Sequence, residues 1–136
     1  TKDICKNLIH LYFCNEQIKK DKKAPKDFKP RNIKKTAIVG AGVMGGGIAW
    51  LYSKNNIAIR MKDISNQAIA IGYQQINKIY SQLLKIRKID KTEFAQKISL
   101  VSATTSDLGF KNCDIVTEAV IEDIKIKKIV LKTPRN

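Results

Sequence analysis

Residues 39 to 50 read VGAGVMGGGIAW, and no other stretch of the chain restricts its fold so tightly. Alone, G-x-G-x-x-G is a weak motif. Here Gly40, Gly42 and Gly45 fall where a β-branched run ends and a helical run begins, and that placement raises its weight. Gly40 permits a tight turn out of a strand. Gly42 lacks a Cβ, so a phosphate group can approach the backbone, and Gly45 lets the helix pack closely on the strand. Free N–H groups and the positive end of the helix dipole then face the phosphates. Gly46 and Gly47 each cost about 1 kcal/mol of helix propensity against Ala, which points to close packing around them. The competing reading is a plain structural turn before a helix.

Asp63 is the second constraint. It closes the run IAIRMKD, 23 residues after Gly40. A carboxylate at the end of the second strand can accept both hydroxyls of an adenosine ribose and repel a 2′-phosphate. The pattern therefore favours NAD over NADP. Arg60 and Lys62 stand beside it, and cations there could offset the repulsion. An Asp that merely ends a strand is the alternative.

The pattern along the chain fits this placement. An amphipathic helix is expected over residues 3–20, with Ile4, Leu8, Leu11, Tyr12 and Ile18 near helical spacing. KKDKKAPKDFKPRN, with Pro25 and Pro30, suits an exposed basic linker. From Ile33 onward, short β-branched runs alternate with helical ones. Strands are predicted at IKKTAIVG, at 57–63, at ISLVSA (98–103) and at CDIVTEAV (113–120). Helices are predicted over 43–54, closed by Asn55-Asn56, over about 66–88, from Asp90 through Lys97, and from near Asp123. Strands separated by helices imply a parallel sheet. The expected fold class is α/β: an incomplete Rossmann-like parallel sheet with helices on both faces, preceded by an N-terminal linker helix. The expected division is residues 1–32, helix and linker, and 33–136, dinucleotide-binding domain.

Composition narrows the function classes. The net charge of +14 invites a nucleic-acid reading, but of 26 basic residues 22 are Lys and 4 are Arg. The excess is spread, +7 over residues 1–35 and +7 over 36–136. No aromatics interleave with the basic runs as a stacking platform would need, so nucleic acid is disfavoured. Cys5, Cys14 and Cys113 have no metal-ligand spacing and read as free thiols in a reducing cytoplasm. No metal site is expected. No apolar run reaches the roughly 18 residues of a membrane span, and no signal peptide is apparent.

Three stretches together, VGAGVMGGGIAW, RMKDIS and CDIVTEAVIEDIKIKK, resemble the NAD-binding domain of L-3-hydroxyacyl-CoA dehydrogenases, as found in the multifunctional fatty-acid oxidation α subunit. The M-G-G-G-I-A continuation and E-A-V-I-E are the specific part. The resemblance extends to about Leu131, and LIHLYFCNEQIKK with the Lys/Pro stretch is similar to the family's junction with a preceding hydratase region. It implies a cofactor-binding set of Gly40, Gly42, Met44, Gly45, Asp63, Val120, Ile121, Glu122 and Lys127. Met44 would offer a backbone contact to the dinucleotide, while Val120, Ile121, Glu122 and Lys127 would lie along the nicotinamide half. Without the resemblance, Glu122 and Lys127 read as ordinary helix-start and helix-surface charges.

The resemblance also implies what the chain lacks. The family's general-base histidine and its orienting glutamate fall downstream of these residues, so no catalytic residue is assigned. His10, the sole histidine, reads as a surface or packing residue of the N-terminal helix. The terminal TPRN departs from the family's continuing helix and looks like a truncation or a frameshift product. The leading expectation is an NAD-binding portion of a 3-hydroxyacyl-CoA dehydrogenase, inactive alone, whose substrates in the full-length family are 3-hydroxyacyl-CoA and 3-oxoacyl-CoA. The missing remainder of the enzyme is a candidate partner. The alternatives are a basic non-enzymatic module binding nucleic acid, and the NAD domain of another 3-hydroxyacid dehydrogenase.

Overall fold

Residues 2–20, 29 and 31–132 are described by the computed structural model, and the chain divides into two compact units, Thr1–Arg31 and Asn32–Asn136. Most of the basic stretch with Pro25 and Pro30, and the TPRN end, lie outside the described residues. In the first unit, α1 (Lys2–Lys20) is a continuous helix with no buried residue. Its apolar residues Ile4, Leu8, Leu11, Tyr12 and Ile18 are all exposed. His10 lies on this helix, its Nε2 3.5 Å from Cys14 Sγ one turn on.

The second unit is built on β1 (Lys35–Val39), β2 (Ala58–Lys62), β3 (Val101–Thr104) and β4 (Ile115–Glu118), parallel and ordered β3-β2-β1-β4. β1 lies between two partners and is covered on both faces, so Thr36, Ala37, Ile38 and Val39 are all buried. That explains its continuous apolar run, where a one-sided strand would alternate. Val39 pairs in register with Lys62 of β2 and Glu118 of β4. Three strand ends therefore meet at the point where the glycine loop leaves β1.

Helices cover the two faces unequally. On one, α2 (Val43–Lys54), α3 (Asn66–Lys85) and α4 (Lys91–Ser99) enclose Ile38, Ile59, Met61, Ile76, Tyr80 and Val101. α2 buries Gly45, Gly46, Ala49 and Ser53, a stripe of small residues that allows close approach. A Cβ on Gly46 would stand 2.6 Å from the Gly72 carbonyl oxygen of α3. α3 faces it with Gly72, Ile76 and Tyr80, each one turn apart, and Tyr80 Oη lies 2.8 Å from Ser53 Oγ. On the other face, Ala37, Val39 and Phe110 meet Val116, Val120 and Val130, the last from α5 (Ile124–Lys132).

Local signals set most boundaries. Ser65 Oγ accepts from Ala68 N at 3.1 Å and starts α3, while Asp90 Oδ1 accepts from Glu93 N at 2.7 Å and starts α4. Asn56 adopts a left-handed φ of 62° just past α2. Three expectations need correction. The third strand was predicted from Ile98, but Ile98 and Ser99 end α4 and the strand begins at Val101. Phe94 and Ile98, one turn apart, both pack on the core, so helical rather than alternating periodicity governs them. The helix expected to reach residue 88 stops at Lys85, with Arg87 turned to a φ of 54°. β4 ends at Glu118 rather than Val120, because Glu118 Oε1 accepts from Val120 N at 2.6 Å and bends the chain.

Candidate dinucleotide site

The loop after β1 is sewn to the end of β2 by two backbone donors. Gly40 N donates to the Lys62 carbonyl at 2.8 Å, and Ala41 N donates to Asp63 Oδ2 at 2.8 Å. Gly40 turns with a φ of 101°, and a Cβ there would lie 2.4 Å from the Ala119 carbonyl oxygen. No other residue fits that position. Gly45 packs directly under the turn, where a Cβ would fall 1.9 Å from the Gly40 oxygen. Gly42 differs: nothing lies within 4 Å of its added Cβ. It is the residue before α2, and no side chain caps that helix. The first turn of α2 holds no acidic residue, so its positive end is left for an incoming anion.

These residues open onto a cavity of about 440 Å³ at the carboxyl ends of the strands. That lies within the roughly 300–1,000 Å³ of small-molecule sites. Gly40, Gly42 and Asp63 form one side. Lys62 and Asp107 line the cavity too, and Ile64 and Ala68, Ala119 to Ile121, and Ile126, Ile129 and Val130 of α5 make the lining largely apolar. A dinucleotide fits these residues. The open Gly42 admits a phosphate, the apolar walls suit a flat base, and Asp63 supplies acceptors. An ionised carboxylate has about four lone-pair sites, and Asp63 uses Oδ2 on Ala41, with Oδ1 3.4 Å from Ser65 N. Capacity remains for ligand hydroxyls.

A second polar group sits where β4 meets α5. Lys127 Nζ donates to Glu118 Oε2 at 3.0 Å and to Glu122 Oε1 at 2.7 Å. The Lys127 ammonium and the Val120 N–H hold the Glu118 carboxyl below the usual glutamate range. Glu122 and then Glu118 hold the Lys127 ammonium above the usual lysine range. Glu122 is the solvent side of this cluster, its side chain 88% exposed. Asp123 Oδ1 accepts from Lys125 N and Ile126 N at 2.7 and 3.1 Å and so fixes the start of α5.

The structure thus brings Gly40, Gly42, Asp63, Val120 and Ile121 to the lining of one cavity. Gly45 supports the loop from beneath. Met44 is exposed in the first turn of α2, and Glu122 and Lys127 are joined to each other beyond the cavity lining. Glu118 and Asp107 escaped the sequence reading. Glu118 had a signal, the acid opening the EAVIE stretch. Asp107 had none, because its partner Lys62 lies 45 positions away.

The profile described as 3-hydroxyacyl-CoA dehydrogenase, NAD binding domain, matches residues 35–135. The fatty acid oxidation complex subunit alpha of Pseudomonas putida is 33% identical over 128 residues, 94% of this chain and 18% of that protein. The subunit of Pseudomonas entomophila gives the same values. The chain therefore spans less than a fifth of the length of these relatives. Among solved structures, (S)-3-hydroxybutyryl-CoA dehydrogenase from Ralstonia eutropha superposes with a TM-score of 0.71 at 33% identity, over 74% of this chain and 36% of that one. The 3-hydroxybutyryl-CoA dehydrogenase of Escherichia coli shares the fold, with a TM-score of 0.68 at 23% identity over 74% of this chain and 21% of that one.

Proposed function

The chain belongs to the 3-hydroxyacyl-CoA dehydrogenase NAD-binding domain family, and from that premise we propose that residues 33–136 form the cofactor half of a dehydrogenase acting between 3-hydroxyacyl-CoA and 3-oxoacyl-CoA. Residues 1–32 serve as helix and linker, and the protein works in the cytoplasm. Asp63 accepts the adenosine ribose hydroxyls. Gly40, Gly42 and Gly45 shape the turn that brings the α2 amides, Met44 included, to the pyrophosphate. Val120 and Ile121 line the path of the nicotinamide half, and Glu122 and Lys127, paired with each other just beyond the cavity lining, flank it. Bound NAD supplies the hydride acceptor. The residues of this chain bind and orient it.

The observation that carries this reading is the Asp63 carboxylate bonded to the glycine-loop amide of Ala41 at 2.8 Å, on the wall of the same cavity as Gly42. Calorimetric titration of NAD against the purified chain tests it. Saturation is expected, with a loss of about tenfold or more in Asp63→Ala, since the hydroxyls lose charged hydrogen-bond partners. Equal NAD affinity in a folded Asp63→Ala chain would remove the ribose assignment. Absence of saturation at millimolar NAD would remove the reading as a whole.

A further inference from the structure

Two cations precede Asp63 on β2, and the structure separates their roles. Arg60 lies beneath the turn at Gly109, where an added Cβ would meet its Cδ and Nε at 3.1 Å, and Arg60 Nη1 donates to Ser102 Oγ at 3.5 Å. It is not on the cavity wall. Lys62 is on that wall, with Asp63 and Gly42. Its side chain is only 17% exposed, and its ammonium is ion-paired with the carboxylate of Asp107, in the loop after β3. Asp107 lines the same cavity.

The charge balance around the ribose position follows. A phosphate monoester carries about −1.5 to −2 at neutral pH and seeks a free cation. Asp63 contributes one negative charge. Lys62 would cancel it, but Asp107 adds a second negative charge and occupies the ammonium. A neutral 2′-hydroxyl meets an acceptor, whereas a 2′-phosphate meets two carboxylates and a lysine already engaged. We propose that Asp107 is a specificity-determining residue of this chain: by holding Lys62 it withholds a cation from the ribose 2′ position and biases the cavity toward NAD and against NADP. The proposal rests on the ribose assignment of Asp63.

The test compares NAD, NADP, 5′-AMP and 2′,5′-ADP titrated against the full chain, Asp107→Asn, Asp107→Ser and the double variant Asp107→Asn/Lys62→Met, with circular dichroism confirming the fold of each. Freeing Lys62 is expected to raise affinity for NADP relative to NAD by about fivefold, the scale of a partly exposed charge pair. The ratio of 2′,5′-ADP to 5′-AMP should move in parallel. The gain should vanish in the double variant and shrink in high salt. Two substitutions of Asp107 keep the comparison available if one of them is unstable. An unchanged ratio in a folded Asp107 variant overturns the proposal, as does a gain that survives loss of Lys62. A parent chain that binds neither NAD nor 5′-AMP points instead to failure of the ribose reading.

Discussion

Gly40 and Gly42 stand two positions apart, yet an added Cβ would collide with protein at one and meet open space at the other. At Gly40 the φ of 101° and the Ala119 carbonyl 2.4 Å from an added Cβ leave no room for a side chain. Gly40→Ala is expected to cost about 1–3 kcal/mol of stability, read as a lowered midpoint in urea unfolding. Gly42 has open space around its Cβ position. Gly42→Ala should leave stability within about 0.5 kcal/mol, as for ordinary surface changes, while weakening NAD binding severalfold. Equal losses of stability at both positions would contradict the division of labour. The motif alone signalled both glycines. Which of them met protein and which stood in open space depended on Ala119, whose carbonyl arrives from just past the end of β4, 79 positions further along.

Among the elements, the junction of β4 and α5 is governed by charge. Glu118 ends the strand, turns the chain through Val120 N, and ties Lys127 one turn into the helix. A depressed carboxyl contributes stability that is present above its ordinary value and lost as pH falls through its lowered one. A raised ammonium contributes stability that is present below its ordinary value and lost as pH rises through its raised one. The pair is therefore in force across neutral pH. Glu118→Gln should lower the thermal midpoint near neutrality, and the gap to the parent chain should close in acid, as pH falls through the lowered range in which Glu118 itself is protonated. A gap of constant size from neutral to acid would show that packing, not charge, is lost. Legibility at this scale was uneven. Ser65 and Asp90 cap their helices as local chemistry dictates. The end of α4 is hard to read because ISLVSA has strand composition, while Ile98 is claimed by a helix that begins seven positions earlier and packs on the core.

For the whole molecule, two surfaces stand out. Among the described residues β4 pairs only with β1, leaving its other edge open, and Ile115 on it is 40% exposed. Open edges invite pairing with another chain. Ile115→Lys is expected to suppress concentration-dependent association in sedimentation velocity without altering NAD affinity; unchanged association would place the contact elsewhere. The second surface is electrostatic. The net charge of +14 draws polyanions nonspecifically, with strong salt dependence. Family membership makes the chain an NAD-binding domain, and the dispersed charge carries no such assignment. Among the described residues, no helix is long and apolar enough to cross a membrane.

The alternation of β-branched and helical runs, the glycine loop and the spacing to Asp63 determined the fold class and the cofactor, because backbone conformation and phosphate approach depend on residues close in the chain. The face of each glycine that met protein, the capture of Lys62 by Asp107 and the binding of Lys127 by Glu118 were decided only in the folded structure. Each depends on side chains brought together by parallel strand crossovers and helix packing, and local sequence carries no record of which partners will meet across the ends of a sheet.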